Sequence, residues 1–247
     1  MKQKQKELQE FYKTKFENFE LSNSYSSPLL ISLDNEKINT DIMVVGQQTN
    51  GWYGNFNDFN SRGIDKQMKI YDKFMREHCY SIRSIFFRYV KDVIDDNVII
   101  PVWTNLFKFD LGDNRETRNI SKLNEKSDEF SKIIDFHSDI LAREIEIIQP
   151  KIIIFFTGHP HDKIFFDKIV KKDDDYQKLY KEIEILKNKD IDRWKCGILD
   201  LSSFEDFSFF NGKAIRTYHP VYLNRNFKKF GDDILSYIKS EIKGCFI

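Results

Sequence analysis

Four short stretches of this 247-residue chain concentrate side chains suited to gripping a flat, hydrogen-bonding molecule. They are Gly46-Gln47-Gln48-Thr49-Asn50-Gly51-Trp52-Tyr53, then Thr104-Asn105, then Thr157-Gly158-His159, and finally His219-Pro220. A carboxamide offers a donor and an acceptor side by side, an imidazole donates or accepts near neutral pH, and aromatic rings stack on planar partners. Almost no carboxylate accompanies them. That set fits a nucleobase-sized ring better than a metal ion. The run His159–Asp162 has no spacing typical of a metal site, and helix capping explains it better.

Each stretch follows an apolar run. Asp41–Gly46 (DIMVVG), Val98–Phe109 (VIIPVWTNLFKF), Lys151–Thr157 (KIIIFFT) and Ala214–Tyr218 (AIRTY) read as strands, and Pro101 places the second at an edge or a bulge. Continuous β-branched runs such as MVV and IIIFF imply strands covered on both faces. Helical periodicity occupies most of the first twenty residues, 64–92, 124–148 (stopped by Pro150), 160–170, 175–188 and 229–243. Residues 197–201 read either as an extra strand or as a loop. Strands alternating with helices predict an α/β fold, a three-layer α/β/α sandwich around a mostly parallel four-stranded central sheet. No linker divides the chain, so residues 1–247 are expected to form one domain, with residues 1–27 as an N-terminal helical extension. In open parallel sheets ligands bind beyond the carboxyl ends of the strands, which is where the four polar stretches stand.

The four stretches also carry a resemblance. VVGQQTNGWYG resembles the first motif of the uracil-DNA glycosylase superfamily, and TNLFKF its second. EIEIIQPKIIIFFTG is similar to the helix-to-strand passage of that superfamily, and AIRTYHPVYLNR to its His-Pro loop. They occur in the same order over residues 41–225. The resemblance implies a monofunctional DNA glycosylase that flips a base out of the duplex, excises it hydrolytically and leaves an abasic site. By position, Asn105 would bind the edge of the base. His219 would stabilise the charge on the departing base, and Gln48 would orient the attacking water. Gly46, Gln47, Trp52 and Tyr53 would complete the base pocket. Leu223 falls at the wedge position that fills the gap left by the flipped nucleotide. Tyr222, Arg225, Lys228 and Lys213 belong to the adjoining DNA-binding stretch.

The departures are informative too. Gln48 stands where many relatives have Asp or Asn, Thr49 replaces the usual Pro, and Val221 the usual Ser. An amide does not titrate, so Gln48 cannot be a general base. Asp58 and Asp110 are the nearest acids, each expected to be a solvated loop residue or a substitute base. Nothing near Lys108 in the sequence marks it as desolvated, so no amine nucleophile is expected. The enlarged NGWYGNFNDF loop implies a remodelled pocket, expected to take a bulky modified pyrimidine such as a modified cytosine of phage DNA, in an antiviral role. Uracil excision in repair and non-catalytic nucleic-acid binding are the alternatives.

Bulk composition narrows the remaining classes. Thirty-nine basic and 39 acidic residues cancel, so any affinity for DNA must come from local clustering. Lys213–Lys229 holds five Lys or Arg and no acid, and 61–91 holds eight basic against three acidic residues. Three scattered cysteines form no disulfide framework, and no apolar stretch reaches membrane-spanning length. A monomeric cytoplasmic protein that binds DNA, with no metal or cofactor, is expected.

Overall fold

A computed structural model gives the fold and describes residues 1–81, 83–94, 99–112, 119–158, 164–165, 176–189 and 191–245. The expected helix over 160–170 falls almost entirely outside these residues, as do His159–Asp162 and the acidic run at 173–175. Six strands form one sheet: β1 (Ile38–Gly46), β2 (Ile100–Asn105), β3 (Ile152–Phe155), β4 (Tyr180–Lys181), β5 (Gly197–Leu199) and β6 (Lys213–Arg216). Their order is β2-β1-β3-β6-β5-β4. The four expected strands are the parallel ones, β2-β1-β3-β6. The sheet is nevertheless larger than expected, and mixed. β5 pairs antiparallel with β6, and β4 antiparallel with β5. β5 settles the 197–201 run as a strand, and β4, two residues long, is too short for alternation to register as a strand signal.

Pro101 sits on the edge strand, where a missing N–H costs no ladder bond. The register of β1 against β2 also shifts beside it, between Asn39 and Met43. The free edge of β2 is covered by one hydroxyl: Tyr71 Oη donates to the Trp103 carbonyl and accepts from the Trp103 N–H, each at 2.9 Å.

Among the described residues the helices are α1 (Lys2–Phe16), α2 (Phe56–Arg62), α3 (Ile64–Glu77), α4 (Ile85–Ile94), α5 (Asp128–His137), α6 (Ile140–Ile148), α7 (Pro220–Arg225) and α8 (Asp232–Gly244). On one face Met43, Val45, Ile153 and Phe155 pack in a core with residues of α1, α3, α5 and α6. On the other, Ile42, Val44, Ile152 and Ile154 pack with residues of α4 and α8. Side chains of opposite parity on one strand therefore feed two cores, as burial on both faces requires. Two long periodic stretches break in the middle: 64–92 becomes α3 and α4, and 124–148 becomes α5 and α6. Gln149 closes α6 in the left-handed conformation, φ 51°, directly before Pro150. The charged segment 175–188 is not one helix but two 3-10 segments flanking β4. Helix α1 is built into the core, with Leu8 and Tyr12 fully buried.

Candidate functional site

The polar stretches converge because the parallel strands end together. Gly46 and Asn105 are the last residues of β1 and β2 and face each other in register. The ladder continues past both, since Leu106 N–H donates to Gly46 O and Phe107 N–H to Gln47 O. On the other side of β1, the Gln47 carboxamide donates to the Thr157 carbonyl beyond β3, and Thr157 is followed in space by Thr217, whose carbonyl accepts from Gly158 N–H. His219 follows two residues later and caps α7, its Nδ1 accepting from Val221 N–H at 3.2 Å.

Above these strand ends lies a cavity of about 410 Å³, within the ~300–1,000 Å³ range of small-molecule sites. Asn105 and His219 both line it, together with Gly46, Gln47, Gln48 and Trp52. Phe74, Phe86, Phe87 and Trp103 make the rest of the wall largely aromatic, and no acidic side chain is among the residues lining it. Phe86 was not legible as a site residue. In the sequence it is one more apolar position of a helical stretch, and only the fold turns its ring to within 6.5 Å of the His219 ring.

Asn105 is 1% exposed, and its orientation follows from its neighbours. Trp103 Nε1–H, which can only donate, reaches Asn105 Oδ1 at 3.2 Å. The amide nitrogen Nδ2 is buried with no hydrogen-bond partner. Buried polar groups are almost always satisfied, so an unmet donor on a cavity wall marks where a ligand acceptor belongs. Gly46 makes room for it. A Cβ on that residue would stand 2.3 Å from Asn105 Oδ1.

His219 is desolvated, and burial pushes its pKa down to about 4. The ring is therefore neutral at physiological pH. With Nδ1 accepting from Val221, the proton belongs on Nε2. His219 thus presents a neutral N–H donor to the cavity it lines.

The loop after β1 is pinned at several points. Asp110 Oδ2 accepts from Gly51 N–H at 2.6 Å, Arg62 donates to the Tyr53 carbonyl at 2.8 Å, and Ser27 N–H donates to Gly54 O. Gly54 lies at φ 94° over the Asp58 carboxylate, a conformation and a contact that exclude a side chain. Trp52 is 7% exposed and packs edge-on against Phe74 and Trp103, while Tyr53 is 40% exposed. Gln48 lines the cavity, and its Oε1 accepts from Ile120 N–H at 3.1 Å, so it also ties the loop to the 3-10 turn Ile120–Lys122.

Several expected residues sit elsewhere. Leu223 is fully buried on the inner side of α7, in the core beneath α8, and cannot act as a wedge. Lys213 begins β6, at the opposite end of the sheet from Asn105, and pairs with Glu241 of α8. Asp110 is fully buried and holds Gly51, and Asp58 completes the capping box of α2. Neither lines the cavity. Lys108 is desolvated after all, at 1% exposed. It is ion-paired with Glu144 and lies outside the cavity lining. Tyr222, Arg225 and Lys228 remain exposed on and just after α7, next to His219. They are joined by exposed Phe227 and by Arg88 of α4, which donates to Asn224 at 2.7 Å.

Among the described residues, no helix is long and apolar enough to cross a membrane. No protein-family model matches the chain, and no curated protein matches its sequence.

Proposed function

We propose that this chain is a monofunctional DNA glycosylase, which extrudes one nucleotide and hydrolyses the bond between a modified pyrimidine and its sugar. The observation that carries the reading is the pairing, on one cavity, of an unmet carboxamide donor with a neutral imidazole donor, Asn105 and His219.

Asn105 Nδ2 donates to a ring acceptor, and Oδ1 has a second lone pair beyond the one taken by Trp103. Uracil offers O4 and N3–H to that pair, and cytosine offers N3 and N4–H. The two bases carry donor and acceptor at exchanged positions, so with Oδ1 fixed by Trp103 each needs its own ring pose, and the aromatic walls decide which pose the cavity admits. As the glycosidic bond lengthens, negative charge collects on the leaving base. His219 Nε2–H is the donor offered to it from the cavity wall, held in orientation by the Nδ1 bond to Val221. Gln48 orients water but takes no proton, so the sugar cation depends on the DNA phosphates and the rate rests on leaving-group stabilisation.

With Leu223 buried, the wedge passes to Tyr222, 45% exposed, one residue closer to His219. Its ring lies 4.7 Å from that of Tyr218, tilted by 31°, which braces it, and Arg225 and Lys228 lie on the same stretch to meet phosphates. Tyr222→Ala is expected to lower excision from duplex DNA about 10–100-fold, the loss of one aromatic–base stack of ~1–3 kcal/mol. It should leave excision from single strands nearly unchanged, because there the base needs no extrusion. Equal loss on both would return Tyr222 to a structural role.

The reading as a whole is tested by mass spectrometry of bases released from duplexes carrying uracil, cytosine or substituted cytosines. Release of no base from any of them, with DNA binding retained, would establish a binding protein instead. A second expected result concerns Gly46→Ala. Its Cβ displaces the Asn105 amide, and misplacement of about 1 Å costs on the order of 10²-fold in rate. Circular dichroism should show the fold unchanged, and full activity would mean that Asn105 does not need its observed position.

A further inference from the structure

The aromatic wall at Trp52 has two sides. Beyond it a second cleft, about 510 Å³, shares Asn50, Trp52 and Phe74 with the first cavity and adds Tyr53, His78 and Ser81. We propose that this annex is a second compartment of the same site, and that it receives a neutral, hydroxyl-bearing substituent carried by the base seated against Asn105 and His219. The inference rests on the base-excision reading above and names the class of base.

Capacity is the first argument. A water occupies ~30 Å³ of the liquid, so the first cavity alone holds on the order of ten waters' volume. A bare pyrimidine leaves much of that space, and all of the annex, unfilled.

The second argument is the dividing wall. Trp52 is fixed by edge-on contacts to Tyr53, Phe74 and Trp103, at 4.8, 5.1 and 5.4 Å between ring centroids. Its Nε1–H is nevertheless buried without a hydrogen-bond partner. A core tryptophan ordinarily finds one. An acceptor on a ligand reaching past this ring would supply it.

The third is the chemistry of the annex. Tyr53 offers an exposed aromatic face from a left-handed backbone, φ 46°, held there by the bonds from Arg62 and Ser27 to its carbonyl. Strained residues of this kind persist where the surroundings enforce them, often at ligand clamps. His78, Ser81 and Asn50 add groups that donate and accept. No Lys, Arg, Asp or Glu is among the residues lining the annex, and Glu77 stands just outside, 3.7 Å from His78. A phosphate or carboxylate would find no Lys or Arg among those residues: Arg62 is not in the lining and is bonded to the Tyr53 carbonyl, Ser27 and Gln67, and Glu77 adds a nearby anion. Hydroxyls, which both donate and accept, fit the set.

The test uses the full chain and its Ser81→Ala and His78→Ala variants, with Tyr53→Ala, at a residue given to the base pocket above, used for the binding measurement alone. Single-turnover release is measured from duplexes carrying uracil, 5-hydroxymethylcytosine or glucosylated 5-hydroxymethylcytosine. The Ser81 and His78 variants should each lose about tenfold or more on the two hydroxylated bases and stay within about twofold of wild type on uracil. Equal losses across the three duplexes would overturn the annex while sparing the base-excision reading. Quenching of tryptophan fluorescence by free glucosylated 5-hydroxymethyldeoxycytidine, against deoxycytidine, reads the annex without catalysis. Tighter binding of the former, abolished in Tyr53→Ala, is expected. If no duplex yields a base, the base-excision reading fails, and equal binding of the two nucleosides would overturn the annex by itself.

Discussion

His219→Ala is expected to lower base release about 10²–10³-fold, the usual loss when one preorganised donor to a developing anion is removed, and Asn105→Ala to cost at least as much. Both side chains meet the same bound ring, so the double variant should fall well short of the product of the two losses. Duplex affinity should hardly change, because the basic side chains at Arg225 and Lys228 are untouched. The pH profile separates this role from an ordinary acid. Burial lowers the His219 pKa to about 4, and its neutral form is the one that keeps Nδ1 free to accept from Val221 N–H. Protonation would break that cap and place an uncompensated charge in an aromatic cavity. The rate per folded molecule should therefore stay level from neutral pH down to about 5 and fall only as pH approaches about 4. An inflection near the ordinary imidazole value of ~6.5 would mean a solvated, titrating histidine and would sink the assignment.

Stability moves in the same direction and has to be measured alongside. A histidine whose folded-state pKa lies below its unfolded value lets the unfolded chain bind more protons in the window between the two. Stability is then whole above about pH 6.5 and declines as pH falls. His137 adds to this. It is 1% exposed, and burial pushes its pKa to about 3. Its Nε2 accepts from Lys108 N–H, and Nδ1–H donates to the Ile133 carbonyl. Each pH unit below 6.5 costs up to about 1.4 kcal/mol for such a group.

What the sequence disclosed was the part that depends on strand ends. Asp41–Gly46 and Val98–Phe109 are apolar runs closed by polar residues, and in a parallel sheet that pattern alone puts Gly46 and Asn105 at one rim. Side-chain orientation within a short helix was less accessible. Tyr222 and Leu223 are neighbours after His219-Pro220, and the resemblance gives the wedge position to Leu223. Once Pro220 starts a helix at His219, however, one of the two must turn inward, and the aliphatic side chain does so. Of the two antiparallel additions, β5 lies in the 197–201 run that reads as strand or loop, and β4 was hidden because Tyr180–Lys181 is too short to show alternation. Burial of Lys108 was hidden because its carboxylate partner, Glu144, comes from α6, 36 residues away.

That buried cluster carries the largest stability effect expected in the molecule. The Glu144 carboxylate is fully buried. It accepts from Lys108 Nζ at 2.6 Å, Thr104 Oγ1 at 2.8 Å and Tyr12 Oη at 2.5 Å. Lys108 Nζ also donates to Thr104 Oγ1, and Tyr12 Oη accepts from Ile31 N–H. Desolvation lowers the Lys108 pKa, and the neighbouring carboxylate opposes that shift. The pair's net contribution is therefore modest, but its halves are not separable. Lys108→Met would leave a dry carboxylate with two hydroxyls and no cation, a loss of about 3–5 kcal/mol, read as a lower urea midpoint at pH 7 with unchanged slope. Adding Glu144→Gln removes the stranded charge and keeps an acceptor oxygen for Tyr12, while its NH2 donates to Thr104 Oγ1, so the double variant should recover most of the loss. Thr104 adjoins Asn105, and Tyr12 fastens α1 to Glu144 of α6. Base release by the double variant accordingly tests whether the cluster also sets the position of Asn105. A single variant as stable as wild type would mean that water reaches Glu144 and that the cluster is not the dry ion pair described.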